Sequence, residues 1–149
     1  MIRDFRAADR DTLIDMMKEF YASPAVLHPV PEAYFSRTVE AILENSPYVA
    51  AFIAEQNGVP AGYGLVSLTY SNEAGGLVVW LEELYIRDTA RGLGLGSALI
   101  GAIETRYRDQ AARLRLEVEE DNDGAVRLYS RLGYAPLPYS QMVKETSHE

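Results

Sequence analysis

The chain has 149 residues, a net charge of −8 at pH 7 and no cysteine, with 48% hydrophobic and 24% charged residues. This length suits one domain over residues 1–149, and the mixture is ordinary for a folded globular protein. Without thiols there is no disulfide, thiolate metal site or cysteine acyl-enzyme, and an acidic balance disfavours nucleic acid and anionic membranes while mildly favouring a cationic ligand. The histidines, His28 and His148, are too far apart to suggest a metal site, so none is expected. No apolar run is long enough for a bilayer, and the start MIRDFRAADRD is too charged for a signal-peptide core, so the expected location is cytoplasmic.

Residues 2–5 read as a short edge strand. Leu13, Met16, Met17 and Phe20 recur at the spacing of a helix burying one face, over residues 9–21. Pro24, Pro29 and Pro31 interrupt the chain, and Phe35, Val39, Ile42 and Leu43 mark a second amphipathic helix. YVAAFIAE, Asn57-Gly58 and PAGYGLVSLTY form a predicted antiparallel hairpin. SNEAGG is a loop and LVVWLEELYI a third strand of this group. A helix with Leu95, Leu99, Ala102 and Ile103 on its buried side follows, then the strand RLRLEV, then a helix carrying Ala125, Leu128, Tyr129 and Leu132. YAPLPYSQMV is expected to add one or two last strands, its prolines at an edge or bulge. The order is a mixed α/β domain with a central βαβ crossover, and chemistry is expected at the C-terminal ends of its strands.

Between the strand ending near Ile86 and the next helix lies Arg91-Gly92-Leu93-Gly94-Leu95-Gly96-Ser97. Such a turn aims free backbone N–H groups and the positive end of a helix dipole at one point, an arrangement suited to phosphate. A P-loop would need Lys after the last glycine, and Ser97-Ala98 stands there instead. A dinucleotide fingerprint needs G-x-G-x-x-G, whereas these glycines fall at 92, 94 and 96, with too little chain beyond to complete a half-sheet.

The remaining pattern, Arg91-x-x-Gly94-x-Gly96 after EELYI, resembles the acetyl-CoA pyrophosphate loop of the GNAT acyltransferases, and Asn122-x-x-Ala125-x-x-Leu128-Tyr129-x-x-x-Gly133-Tyr134 resembles that family's other cofactor motif. The resemblance covers nearly the whole chain. It implies a mixed, mostly antiparallel central sheet with helices on both faces, splayed at the acyl-CoA site. Acetyl-CoA would be the co-substrate, with the backbones of Leu84, Tyr85 and Ile86 along its pantetheine arm, Arg91, Gly92, Leu93, Gly94, Leu95, Gly96 and Ser97 around its pyrophosphate, and Asn122 on its amides. Ordinary readings stand beside these: a surface arginine for Arg91 and a helix N-cap for Asn122.

Acetyl transfer to an amine needs a neutral amine, an oxyanion donor and a proton for the departing thiolate. Tyr129 matches the family tyrosine that reaches the CoA sulfur and is the candidate acid, the alternative being a core tyrosine among the chain's ten. Glu82 and Glu83 are adjacent acids in an apolar strand, so only one should face the site unless a bulge intervenes. Trp80-Leu81-Glu82-Glu83-Leu84-Tyr85-Ile86 is similar to the acid-bearing strand of spermidine/spermine N-acetyltransferases, which puts Glu82 in the place of the base, with Glu83 as the alternative. His28, Tyr34 and Glu73 are candidate walls of an acceptor pocket. The expected partner is a small-molecule amine, with no nucleic acid or membrane, and a homodimer is left open. Protein-lysine or N-terminal acetylation, and a non-catalytic acyl-CoA sensor, are the competing functions.

Overall fold

The computed structural model describes residues 1–146, so His148 lies outside the described residues. The chain divides into two compact units, Met1–Glu117 and the part from Val118 onward.

In the first unit, β1 (Ile2–Asp4), β2 (Val49–Gln56), β3 (Val59–Ser71), β4 (Gly76–Ile86) and β5 (Ala111–Leu116) form one sheet in that spatial order. Neighbours through β4 are antiparallel, and β4 and β5 are parallel, joined through α3 (Leu95–Tyr107). The hairpin turn is as expected: Asn57 and Gly58 have φ of 54° and 77°, the left-handed pair that a two-residue turn between twisted strands requires.

Strand alternation sorts the core into two layers. Ala51, Ile53, Tyr63, Leu65 and Tyr85 face α1 (Arg10–Tyr21) and α2 (Ala33–Leu43), packing against Leu13, Met16, Met17, Phe35 and Val39. Phe52, Ala54, Val66 and Val79 face the other way, onto Leu99, Ile103 and Tyr107 of α3. The helical stripe of α3 is rotated from the expected one: Leu99, Ile100, Ile103 and Tyr107 are buried, whereas Leu95 and Ala102 are partly exposed. The first strand is tied down by Asp9, whose carboxylate accepts two bonds from the Arg3 guanidinium at 2.7 and 2.8 Å and one from the Arg6 N–H at 2.8 Å.

In the second unit, α4 (Asp123–Arg131) begins at Asn122, whose Oδ1 accepts the Ala125 N–H at 3.3 Å, an N-cap bond. The expected last strands do not form among the described residues: 135–146 is exposed and carries no strand. Pro136 and Pro138 have no N–H to donate to a ladder, and the Tyr139 N–H turns back locally to the Leu137 carbonyl at 2.8 Å. Among the described residues no helix is long and apolar enough to cross a membrane.

Candidate active site

Strand β4 has two unlike halves. Residues 77–81 pair with β3 on one side and with β5 on the other. Beyond Leu81 the pairing with β5 ends, while β4 continues beside β3 to Ile86. Hydrogen-bonded and non-hydrogen-bonded pairs alternate along antiparallel strands. The Arg87 N–H bonds the Ala61 carbonyl at 2.8 Å, in the register that pairs Tyr85 with Tyr63, so the Tyr85 pair is hydrogen-bonded to β3 in turn. Leu84 and Ile86 therefore turn their N–H and C=O groups to the opposite edge, where β5 no longer pairs. This refines the expectation for residues 84–86: two of the three present backbone groups to the splay, and Tyr85 is spent on the sheet.

At the end of that edge the chain makes a turn over Asp88–Ala90 and enters the glycine loop. Gly92 and Gly94 have φ of 80° and 79°, a backbone conformation that L side chains rarely adopt, and a Cβ at either would meet nothing within 4 Å. The glycines are needed for chain direction, and they leave open space above the loop. The first bond of α3 runs from the Ala98 N–H to the Gly94 carbonyl at 3.0 Å, so the N–H groups of Leu95, Gly96 and Ser97 have no acceptor within the helix. Three free N–H groups at the positive end of a helix dipole are an arrangement suited to an anion, and the Leu84 side chain lies beside Gly96. Leu93 stands exposed on this loop. Arg91 folds back over the strand end, its Nε donating to the Ile86 carbonyl at 3.0 Å and its Nη1 pairing with Asp88 at 2.7 Å.

A bulge decides how the two acids lie. Leu65 pairs with Glu83 and Val66 with Leu81, leaving Glu82 as the extra residue. Glu83 accepts the Tyr21 hydroxyl at 2.6 Å and the Tyr63 hydroxyl at 2.7 Å, and Glu82 accepts the Ser67 hydroxyl at 2.6 Å. Tyr63 and Ser67 lie on the same face of β3, so both carboxylates face the α1 and α2 side, against the simple alternation of a flat strand. Glu82 is exposed and Glu83 is half-buried. Burial pushes the Glu83 carboxyl above its usual range, the two hydroxyls pull it back, and the charge of Glu82 adds to the rise. Burial, and then Glu83, push the Tyr21 and Tyr63 phenols far above the ordinary value, so both remain hydroxyl donors.

In the second unit, the Tyr129 ring meets the Tyr134 ring edge-on at 6.1 Å, and burial raises the Tyr129 phenol, which keeps its proton at neutral pH. Asn122 performs the capping role that was the alternative to ligand binding.

The walls read from the sequence are dispersed. His28 is exposed on the segment between α1 and α2, Tyr34 is exposed with the Arg37 guanidinium 5.1 Å above its ring, and Glu73 pairs with Arg113 at 3.0 Å. The partners that do hold Glu83, Tyr21 and Tyr63, were missed by sequence reasoning. Tyr63 could have been found from its place in the hairpin strand, whereas Tyr21 reaches Glu83 across 62 positions of sequence and gave no local signal. A second polar cluster lies nearby on β4, where Glu19 accepts the Tyr85 hydroxyl at 3.0 Å and pairs with Arg87 at 3.0 Å. Among the described residues no group of His, Cys, Asp and Glu could hold a metal ion.

An α/β sheet opened along one strand, with a glycine turn entering a helix at its end and acids beside it, is a layout suited to group transfer. The family comparison gives the class. Residues 11–134 match the acetyltransferase (GNAT) family, and the chain belongs to that family, as an N-acetyltransferase. It is 29% identical to the mouse (Mus musculus) thialysine N-epsilon-acetyltransferase over 94% of this chain and 86% of that one. Its fold matches a possible acetyltransferase from Clostridium difficile 630 with a TM-score of 0.86 at 19% identity, over 99% and 98% of the two chains. It matches AAC(6')-Iy, solved with the bisubstrate analogue CoA-S-monomethyl-acetylneamine, with a TM-score of 0.81 at 19% identity, over 99% and 98%.

Proposed function

We propose that the protein is an acetyl-CoA-dependent enzyme that acetylates the primary amine of a small cationic acceptor by direct transfer, without an acyl-enzyme. The observation that carries this reading is the open half of β4: backbone groups of Leu84 and Ile86 that β5 does not pair, with the Ile86 carbonyl held by Arg91, and two carboxylates on one face. The residues present fit acetyl-CoA. The backbone of Leu84 and Ile86 would lie along an amide-bearing arm, and the N–H groups of Leu95, Gly96 and Ser97 with Arg91 would hold a pyrophosphate. When bound, acetyl-CoA supplies an activated thioester. The thialysine N-epsilon-acetyltransferase relative and the acetylneamine analogue bound to AAC(6')-Iy support the acceptor class, since thialysine and neamine are both amines. The family match spans residues 11–134 and so crosses the boundary between the two compact units, which supports reading the chain as one catalytic domain.

In this reading the carboxylates at the bulge draw the ammonium in and take its proton, because an amine with an ordinary pKa near 10 is mostly charged and non-nucleophilic at neutral pH. The Tyr129 hydroxyl donates a proton to the leaving sulfur; this role rests on the Asn122 to Tyr134 motif. With amine and acetyl-CoA varied together, double-reciprocal plots should intersect, and parallel lines with an isolable acetyl-enzyme would refute direct transfer. Tyr129→Phe should lower kcat by roughly 10²-fold, the scale of one general acid, with no recovery at alkaline pH. An unchanged rate would remove Tyr129 from the mechanism and leave it as packing.

A further inference from the structure

Building on the acetyltransferase reading, we propose that Glu83 is the residue that takes the proton from the acceptor ammonium, and that Tyr21 and Tyr63 are positioning residues that hold its carboxylate for that step. Glu82, exposed at the apex of the bulge, attracts the cation instead.

The geometry separates the two acids. Each oxygen of Glu83 accepts one tyrosine hydroxyl, at 2.6 Å from Tyr21 and 2.7 Å from Tyr63, so the carboxylate cannot turn without breaking a bond. A carboxylate has about four acceptor sites, and two hydroxyls occupy two of them, leaving the others for an N–H. Tyr63 is fully buried and cannot follow solvent, and the Tyr21 ring is wedged against Phe20 and Phe35 with centroids at 5.3 and 5.1 Å. Glu82 has a single hydroxyl from Ser67 and faces solvent. A proton acceptor gains from a fixed position, and a base works best when its proton affinity approaches the working pH; burial raises that of Glu83. The proton balance is simple. The N–H bond of the ammonium breaks, its electron pair stays on nitrogen to attack, and the proton joins a Glu83 oxygen before it passes to water.

The titratable groups that face Glu83 are Tyr21 from α1, Tyr63 from β3 and Glu82 from its own strand. α2 contributes the Phe35 ring against Tyr21. Tyr85 contacts the Tyr63 ring but sends its hydroxyl to Glu19, which Arg87 pairs. Because the tyrosine hydroxyls pull the Glu83 carboxyl down, removing either moves its titration up, and the acidic limb of kcat/KM must follow.

The test is the pH profile of kcat/KM on one amine that the wild-type protein acetylates. Glu83→Gln should lower the neutral-pH value by roughly 10²-fold and replace the acidic limb set by the carboxylate with a rise toward the amine pKa, where free amine needs no base. Glu83→Asp should retain a limb at a reduced rate, which guards against a misfolded Gln variant. Tyr21→Phe and Tyr63→Phe should each move the limb to higher pH, and the pair together further, whereas a merely structural tyrosine would alter stability or rate and leave the limb in place. Glu82→Gln should raise the KM for the amine and keep the limb. If the limb disappears in Glu82→Gln and stays unmoved in Glu83→Gln and both tyrosine variants, Glu82 is the acceptor and this proposal is overturned. If the wild-type protein acetylates no amine, the functional reading falls and takes this one with it.

Discussion

The two halves of β4 share one strand and one neighbour, β3, yet they do different work. Residues 77–81 are paired on both edges, and Val78 and Val79 are buried to within 2% of full burial. Residues 82–86 keep only β3, carry the bulge and concentrate the polar groups: Glu82, Glu83 and the hydroxyl of Tyr85. The lower half shows what the sheet needs to stand, and the upper half what it can leave unsatisfied for a ligand to complete. An unpaired backbone edge exposed to solvent costs little, because water can satisfy it until a ligand does. The same edge sealed inside the core would be expensive.

The contrast can be broken by three substitutions. Gly96→Glu should have the largest effect. It puts a carboxylate beside Leu84, where the phosphates are proposed to sit, and should weaken CoA binding by 10²-fold or more, roughly 3 kcal/mol, in a protein that still folds. A calorimetric titration giving unchanged affinity would move the phosphate site elsewhere. On the paired half, Val79→Ala should remove about 2 kcal/mol of folding stability by opening a cavity against Leu99 and Ile103, with KM for both substrates unchanged. A rise in KM for CoA would mean that the two halves are mechanically coupled. The smallest effect is expected from Arg91→Ala. Its guanidinium is exposed and already divided between the Ile86 carbonyl and Asp88, so losing it should weaken CoA binding by up to roughly 10-fold at low salt and less as salt rises. Insensitivity to salt would make Arg91 a clasp on the strand end, with no part in phosphate binding.

Much of this was legible in the sequence because it depends on neighbours a few residues apart. Helical spacing in 9–21 located α1 to within a residue, Asn57-Gly58 named its own turn, and the glycines at 92, 94 and 96 marked the turn that enters α3. The failures have a common cause. YAPLPYSQMV looked like strand by composition, but a strand exists only where another offers its ladder, and two prolines removed donors that such a ladder would use. Asn122 is not among them: its cap bond forms as the alternative reading had it, and an amide oxygen with two lone pairs keeps a second acceptor site for a ligand.

By itself the sequence determined the family, the order of the elements as far as α4, the αL glycines and the presence of two adjacent acids, since each of these is local chemistry or a periodic pattern. Only the tertiary structure decided which way those acids point. One extra residue opposite Leu65 and Val66 turns Glu82 and Glu83 to the same face, and long-range packing brings the Tyr21 and Tyr63 hydroxyls onto Glu83. Register and bulge position emerge from the fit of whole strands to one another, and no short stretch of residues encodes them.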